Sequence, residues 1–344
     1  MVNIAIWKKI VDSVRLYPSP HNSQPIKLAV IDSTTADIFY DLDLGLPAES
    51  YGISFAHVCA GVFLESLRIV AAHNGLMSVE ELYLDDLNFD SNERLHKFAR
   101  VKLVPHSISP EDNSAYEAFM SRQTSRRPYD SRIVSREIIE GVKEIASSSG
   151  YEFSSTDNQQ LVDDIIMINQ ATLFDDLQND AVYSEIMHWL RFSRNEANQK
   201  RDGLSAETML MPGKLLHFTM KRRWLWTYPG IGNLIRYVYL KTMKGVHQLG
   251  WLKGPFQTTS DFVEAGRSFM KIWIYLTQHQ IYIHPFGTVI TNPKSHKLFV
   301  KKANIQENEG TMAWMLFRFG YSKQPPKAQR RAAGAMIIEG NTNE

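Results

Sequence analysis

The feature that most constrains the fold is an apolar segment at residues 54–75. Its apolar residues recur at helical spacing, and Gly75 suits the C-terminal end of a helix. Such a wide apolar face has to be covered by other elements, and small residues in the same segment would allow close helix packing. The apolar face comprises Phe55, Val58, Val62, Leu64, Leu67, Ile69 and Val70, and the small residues are Ala56, Ala60 and Gly61.

The rest of the chain predicts helices and strands without a repeating strand–helix–strand rhythm. No Gly-x-Gly-x-x-Gly follows a strand, and no P-loop motif is present. The pattern therefore favours an α+β fold over a doubly wound parallel sheet. The predicted helices are 3–16, 114–120, 135–150, most of 158–200 and 262–279; the predicted strands are two within 26–40 joined by a turn at 32–35, then 100–105, 298–300 and 312–320.

Charge and cysteine content exclude several classes of protein. The formal net charge of +1 gives no global field that would steer the chain toward nucleic acid. Cys59 is the single cysteine, so no internal disulfide or Cys-x-x-Cys pair can form, and we interpret it as a buried structural thiol. No histidine spacing is typical of a metal site, so we predict no metal. Without a signal peptide or a run of about 20 apolar residues, we expect a cytoplasmic protein.

A polar loop at residues 18–25 separates the first helix from the first strand. Its sequence is Pro18-Ser19-Pro20-His21-Asn22-Ser23-Gln24-Pro25. The prolines fix the backbone, while Ser, Asn and Gln offer short hydrogen-bonding side chains. Such a loop suits the edge of a planar heterocycle, and an ordinary helix-to-strand turn is the alternative.

Two later segments are rich in arginine. Three arginines and two hydroxyls within residues 122–127 favour an anion-binding loop, because guanidinium groups match phosphate oxygens in pairs. A solvated basic loop or a salt-bridge cluster is the alternative. The other segment begins Arg318-Phe319-Gly320-Tyr321, turns at Pro325-Pro326 and continues to Arg330-Arg331, and by itself it suggests a basic C-terminal tail.

Together these segments resemble the nitroreductase family over most of the chain. The polar loop resembles the family's Pro-Ser-x-x-Asn-x-Gln-Pro-Trp element, with Ile26 in place of the Trp, and Arg122–Arg126 resembles its Arg-x-Ser/Thr-x-Arg phosphate element. The Gly-Tyr, Pro and Arg residues after 318 resemble its closing element. Residues 54–75 are similar to its central dimer helix, and residues 261–288 to its later helix and flavin-facing loop.

The order of these elements implies two fused halves. The family places the arginine element first, whereas here it follows the Asn-x-Gln-Pro element by about a hundred residues and no second copy of either follows. This arrangement, together with residues 190–209, resembles the Acg-like branch. The resemblance implies a nitroreductase fold of two pseudo-repeats around a central helical core with flanking sheets, at 1–113 and 114–330, then a tail at 331–344. It also implies one composite FMN site and a monomer with an internal pseudo-twofold axis. We expect the second core helix within 158–200.

The resemblance implies a role for each matching residue. Arg122, Thr124 and Arg126 would hold the FMN phosphate, with Arg330 or Arg331 closing over it. Pro18, Ser19, Pro20 and Asn22 would line the isoalloxazine ring, and Gln24 would orient the loop. Gly287 and Thr288 would place backbone N–H groups near flavin N5, and Lys27 would face the N1/O2 edge.

Three functions follow from this resemblance. The flavin itself carries the hydride chemistry, so no catalytic triad is needed, and His21 and His284 are proton-donor candidates unless both are structural loop residues. The first function is an oxidoreductase acting on a planar acceptor such as a nitroaromatic, a quinone or an enone. The second is a protein that stores FMN with little turnover. The third is a flavoprotein bound to an anionic membrane.

The membrane alternative depends on residues 208–260. This segment has eight cationic residues, interleaved aromatic residues that include Trp224, Trp226 and Tyr228, and no Asp or Glu. We predict a helical lid inserted over the flavin, with those rings at the pocket mouth. Binding to an anionic membrane surface is the alternative, and nucleic acid is the least favoured partner.

Overall fold

The structure is a computed structural model that describes residues 5–51 and 53–338. Its helices are α1 Ala5–Val14, α2 Phe55–His73, α3 Pro110–Ser121, α4 Arg136–Ser148, α5 Gln159–Asp176, α6 Asp180–Trp189, α7 Arg194–Lys200, α8 Gly213–Lys221, α9 Ile231–Thr242, α10 Thr259–Gln278, α11 Gly287–Thr291 and α12 Pro293–Lys302. Its strands are β1 Ile26–Val30, β2 Thr35–Asp41, β3 Leu76–Leu82, β4 Leu95–Pro105, β5 Glu152–Thr156, β6 Leu190–Arg191, β7 Leu204–Ser205, β8 Leu249–Pro255, β9 Tyr282–Pro285, β10 Thr311–Gly320 and β11 Ile337–Ile338. The fold is α+β, as the sequence predicts.

Two larger sheets account for most of the strands. The first has the order β11-β1-β2-β4-β3 and is antiparallel except where β11 pairs in parallel with β1. The second has the order β5-β8-β10-β9 and is antiparallel throughout. β6 and β7 form a small parallel pair.

The centre of the fold is the packing of α2 against α10. Every residue of α2 from Ala56 to Leu67 is buried. One continuous apolar core includes these two helices together with residues of both larger sheets. Among the described residues one helix, α2, has the length and hydropathy to cross a bilayer, but 89% of that stretch is buried inside the fold, as expected of a core helix.

Close approach of α2 and α10 depends on one glycine in each helix. A Cβ atom on Gly61 would lie 1.9 Å from the carbonyl oxygen of Val263, and a Cβ on Gly266 would lie 2.0 Å from that of Val58. The predicted close packing through Gly61 is therefore confirmed. The prediction that its partner lies within 158–200 is wrong: the partner is α10, while α5 packs on α11 and α12 beyond the second sheet.

Three predicted boundaries also need correction. The boundary at residue 113 falls inside α3, which packs on both α2 and α10. Residues 249–255 of the predicted lid insertion form β8, an inner strand of the second sheet, so the helical part of the insertion ends with α9. The predicted tail at 331–344 is attached to the fold in its described part, because Ile337 and Ile338 pair with β1. Residues 339–344 lie outside the described part of the chain.

Candidate functional site

The polar loop has an unusual backbone between α1 and β1. His21, Asn22 and Gln24 have φ angles of 48°, 57° and 55°. Residues other than glycine rarely adopt these left-handed backbone angles, so the surrounding contacts have to hold the loop in place. Within the loop, Ser19 Oγ accepts a hydrogen bond from Gln24 N at 2.9 Å.

Two distant segments supply the contacts that hold this loop. Residues 201–203 and 329–331 lie against it, and the side chains of Asn22 and Gln24 bond to their backbone. The Gln24 side chain therefore holds the loop against both segments. The bonds are Asn22 Nδ2 to Gly203 O (3.1 Å) and Gln329 O (2.9 Å), Gln24 Nε2 to Arg201 O (3.0 Å), and Arg331 N to Gln24 Oε1 (2.9 Å).

Asp202 joins these two segments. Its buried carboxylate accepts a hydrogen bond from Arg191 Nε at 2.9 Å and also pairs with Arg331. Arg331 donates in addition to the carbonyl oxygen of Ser23 at 2.9 Å. The guanidinium of Arg331 thus shares the Asp202 carboxylate with Arg191, which leaves Arg330 as the better candidate to close over a phosphate.

The arginine element lies between β9 and the end of β10. Thr124 forms a parallel bridge with Ile283, and Ser125 N donates to Ile283 O at 3.1 Å. Tyr129 bridges to Ser322 on the other side. The arginine element and the closing element are therefore neighbours in the fold, although about 200 residues separate them in the sequence.

Arg122 and Arg330 form one pair of cations without a carboxylate. The side chain of Arg122 is buried over the Trp273 ring, with 4.4 Å from Cζ to the ring centroid, and donates to Leu16 O at 3.1 Å. Burial and the charge of Arg330 lower the pKa of Arg122 to about 9. Burial lowers the pKa of Arg330 to about 10. Arg122 Nε and Arg330 Nη1 are both buried without a hydrogen-bond acceptor.

Arg126 and Arg318 form a second pair of this kind. Arg318 is fully buried and donates to the carbonyl oxygens of Thr242 and Ser125 at 2.9 and 3.1 Å. Arg126 forms no hydrogen bond or ion pair with any residue of the described ranges, and burial together with Arg318 lowers its pKa to about 10. Both guanidinium groups stay charged at neutral pH, so this pair also lacks a counter-charge.

His284 adjoins the second pair of arginines. Burial, followed by the charges of Arg126 and Arg318, lowers the pKa of His284 well below its usual value. Its Nδ1 atom is buried without a partner. The His284 imidazole is therefore neutral at pH 7.

His21 has the opposite electrostatic environment. Its Nε2 atom lies 2.9 Å from a carboxylate oxygen of Glu49. Burial acts to lower the pKa of His21, but Glu49 and, more weakly, Glu185 outweigh it, so the pKa is raised above 6.5. Glu185 in turn accepts hydrogen bonds from the backbone N–H groups of Ala48 and Glu49 at 3.0 and 2.8 Å.

Residues 49–51 connect the polar loop with the predicted flavin-facing loop. Glu49 contacts His21, and two residues later Tyr51 donates to the buried carboxylate of Asp176 at 2.9 Å. Asp176 also accepts hydrogen bonds from Thr288 and Asn292. The carboxylates of Glu49 and Asp176 thus connect the polar loop with Thr288. Space for a bound group remains at Gly287, because a Cβ atom there would meet no atom within 4 Å.

Lys27 has contacts different from those predicted. Its Nζ atom donates to Ala335 O at 2.8 Å and lies 3.9 Å from Asp41. Burial lowers its pKa, with Asp41 acting in the opposite direction and Arg331 reinforcing the shift. Lys27 therefore fastens the C-terminal segment to the first sheet, and no described contact joins it to the arginine pairs.

Several residues of this region carry no local sequence signal. Glu49, Asp176 and Glu185 stand in ordinary helix or loop sequence, and only the fold brings them to the site. Asp202 had a local signal, because it lies in the stretch that resembles the Acg-like branch. Among the described residues, no group of three His, Cys, Asp or Glu side chains is placed to hold a metal ion.

A groove of about 430 Å³ lies between α5 and α9, away from the predicted flavin residues. It is lined by Met167, Gln170, Asp175, Asn233, Arg236 and Tyr237, with Ala171 and Leu240. None of these residues belongs to the polar loop, to the arginine element or to the Gly287–Thr288 turn. The groove is open to solvent and none of the unpaired arginines lines it, so it is a poor candidate for the cofactor site.

Comparison with known proteins gives no sequence-level match. No family model and no curated protein matches the chain. Among solved structures, the chain is similar to the FMN and NADPH-dependent nitroreductase NfnB from Sphigopyxis sp. strain HMH (TM-score 0.39, 12% identity, 65% of this chain and 97% of that one). It is also similar to the FMN-dependent nitroreductase NfnB from Mycobacterium smegmatis in complex with NADPH (TM-score 0.40, 11% identity, 66% of this chain and 97% of that one). A third similar structure is the nitroreductase with bound FMN from Bacteroides fragilis NCTC 9343 (TM-score 0.37, 8% identity, 66% of this chain and 96% of that one). Superposition at this level does not by itself define a family or an activity.

Proposed function

We propose that this chain has a nitroreductase-type fold of two fused halves, belongs to the Acg-like branch, and binds one FMN. When bound, FMN would supply hydride transfer through N5 to a planar acceptor such as a nitroaromatic, a quinone or an enone. The chain's own residues would bind the cofactor, orient it and donate one proton.

The observation that carries this proposal is the set of arginines without a carboxylate. Arg122, Arg126, Arg318 and Arg330 are buried or partly buried, and none forms an ion pair with a described residue. Burying a charge without a counter-charge is costly, so such a set indicates a bound anion that completes the site. A phosphate monoester, with nearly two negative charges and three acceptor oxygens, fits this requirement.

The predicted phosphate ligands agree with this arrangement. Arg122, Thr124 and Arg126 would hold the phosphate, and Arg330 would close over it while Asp202 retains Arg331. Asn22 Oδ1 and Ser23 Oγ are buried without hydrogen-bond partners, so the polar loop has polar groups available for a heterocycle edge. Gly287 would leave room beside the flavin, and Asp176 would position Thr288.

Of the two histidine candidates, His21 is the better proton donor. Glu49 favours the protonated form of His21, whereas burial, reinforced by Arg126 and Arg318, lowers the pKa of His284 and keeps that ring neutral. A proton on His21 would be available within the loop that is proposed to line the flavin. His284 would act as a neutral hydrogen-bonding residue.

Cofactor stoichiometry tests the composite site directly. The full chain is reconstituted with FMN, washed and heated, and the released flavin is measured against protein. We expect one FMN per chain, because each flavin element survives in one copy. Two flavins per chain, or none after reconstitution, would refute the composite site.

Storage of FMN is a second candidate function. Segments 201–203 and 329–331 cover the polar loop through Asn22 and Gln24, which favours a closed site. Anaerobic stopped-flow reduction with NADH and with NADPH separates the two functions. Rapid bleaching of the bound flavin followed by reoxidation by a quinone supports the oxidoreductase, and a flavin that resists both donors supports storage.

A further inference from the structure

The helical part of the acid-free segment carries an exposed apolar surface. We call this surface the 214–241 patch; it comprises α8 from Lys214 onward, the 3-10 turn Arg223–Trp226, the loop at residues 227–230 and α9 as far as Lys241. Of the 17 exposed large apolar side chains among the described residues, eight lie on it, between Leu215 and Val238. The exposed aromatic rings of the described residues, Phe218, Trp224, Tyr228 and Tyr237, are all on this patch.

Helix α9 presents apolar residues to solvent at helical spacing. Leu234, Tyr237 and Val238 are 60%, 56% and 43% exposed. The opposite side of the helix faces the protein, because Tyr239 bonds to Asn169 and lies near Arg126 and Arg318. The inner side of α9 can thus cover the proposed cofactor site while its outer side remains available for another surface.

The turn before α9 has the same two-sided character. Trp226 is buried against Phe174, with ring centroids 5.0 Å apart, and its Nε1 atom donates to Thr219 O. Trp224 and Tyr228 lie edge to face, 5.7 Å apart, and are more than half exposed. The prediction that these rings line the pocket mouth is therefore wrong for Trp224 and Tyr228, which point outward.

Positive charge surrounds the exposed rings. The Arg222 guanidinium lies 4.2 Å from the Phe218 centroid, and Lys241 Nζ lies 4.6 Å from that of Tyr237. No Asp or Glu occurs from residue 208 to residue 260. Six exposed cations of the segment have no ion pair with any described residue: Lys214, Lys221, Arg222, Arg236, Lys241 and Lys244.

This chemistry fits a lipid surface better than a protein. Protein interfaces are depleted in lysine, whereas four of these six cations are lysines. Tyr and Trp rings favour the headgroup region of a bilayer, and neighbouring lysines gain attraction from anionic lipids. We propose that the 214–241 patch docks the protein on an anionic bilayer, with its rings among the headgroups and its lysines against the lipid phosphates.

Vesicle co-sedimentation of the full chain tests this proposal. We expect salt-sensitive binding to vesicles that contain phosphatidylglycerol and little binding to pure phosphatidylcholine. Because each lysine near an anionic surface contributes roughly a fivefold factor, the triple variant Lys214→Gln/Lys221→Gln/Lys241→Gln should bind on the order of a hundredfold more weakly. Its matched control is Lys8→Gln/Lys9→Gln/Lys297→Gln, which removes three exposed lysines elsewhere and should bind like wild type.

Tryptophan fluorescence distinguishes direct contact between the patch and the lipid from long-range electrostatic attraction. Brominated lipids should quench part of the tryptophan fluorescence, and Trp224→Phe should abolish that part while FMN content stays unchanged. Absence of binding to anionic vesicles, equal loss in the control variant, or quenching that survives Trp224→Phe would overturn the proposal. Light scattering that shows a dimer for wild type and a monomer for the lysine triple variant would also overturn the proposal, because a second copy of the chain would then cover the patch.

Discussion

Gly61 in α2 and Gly266 in α10 make a reciprocal contact in which each glycine faces the backbone of the other helix. Gly61 lies against the Val263 carbonyl and Gly266 against the Val58 carbonyl. The two helices exchange equivalent contacts, as expected if each half contributes one core helix to an internal pseudo-twofold arrangement. The position of both sheets, and hence of the proposed site between the halves, depends on this crossing.

Substitution of either glycine should destabilise the fold. Gly61→Ala or Gly266→Ala places a methyl group about 2 Å from a carbonyl oxygen, so the helices have to move apart, at a cost of about 1–3 kcal/mol. Urea denaturation measures the change in the free energy of unfolding. Gly334→Ala is the control, because a Cβ atom there meets nothing within 4 Å; equal loss in the control would contradict this account of the crossing.

The contact between α2 and α10 within one chain also predicts a monomer. The contact that a homodimer would make between two subunits is made here within one chain. Multi-angle light scattering of the purified protein, without lipid, should give the mass of one chain across a dilution series. An obligate dimer at low concentration would count against the fused pseudo-dimer.

The ion pair between His21 and Glu49 should make stability depend on pH. The pKa of His21 is higher in the folded state than its ordinary value of 6.5, so protonation favours folding. This contribution is fully present below about pH 6.5 and is lost as the pH rises through the folded-state pKa. His21→Gln should therefore reduce the free energy of unfolding more at about pH 5.5 than at about pH 9.

A double-variant cycle assigns that effect to the pair. Glu49→Gln should show the same pH dependence, and the double variant should add little to either single variant at low pH. A cost of His21→Gln that is independent of pH would instead indicate a role in the loop conformation alone.

Sequence patterns predicted the elements that are determined by neighbouring residues in the chain. The apolar period gave α2 to within two residues at each end. The alternating pattern predicted the turn between β1 and β2 at residues 32–35, where Asp32 accepts hydrogen bonds from the backbone N–H groups of Thr34 and Thr35. Residues 298–300, by contrast, were predicted as a strand from three apolar positions, although Asn292 caps and Pro293 begins the helix that contains them.

Elements that depend on distant partners were not predictable in this way. The basic, aromatic stretch that contains β8 does not by itself predict a strand. Its pairing with β5 and β10 makes it an inner strand of the second sheet. β11 has two residues, and only its pairing with β1 defines it. For the site, residue types selected the arginines and the polar loop, but nothing local marked Asp176 or Glu49 as the residues that link them.

Removal of Arg126 provides the sharpest test of the cofactor site. Arg126 has no hydrogen bond or ion pair within the described chain, so its charge is available to an anion. A charge-assisted hydrogen bond contributes about 1.5–3 kcal/mol, so Arg126→Ala should weaken FMN binding roughly ten- to hundredfold. Riboflavin lacks the phosphate and should bind the variant and wild type almost alike. Fluorescence titration of the apoprotein with each flavin measures both affinities.

Two further measurements separate loss of binding from misfolding. Without FMN, Arg126→Ala should be no less stable than wild type, because the substitution removes repulsion from Arg318 and breaks no described bond. Arg132→Ala is the matched control: its guanidinium pairs with Asp130 at 2.7 Å on the surface, and FMN affinity should not change. Equal losses for FMN and riboflavin, or a lowered melting temperature of the apoprotein, would show that Arg126 supports the fold and does not bind phosphate.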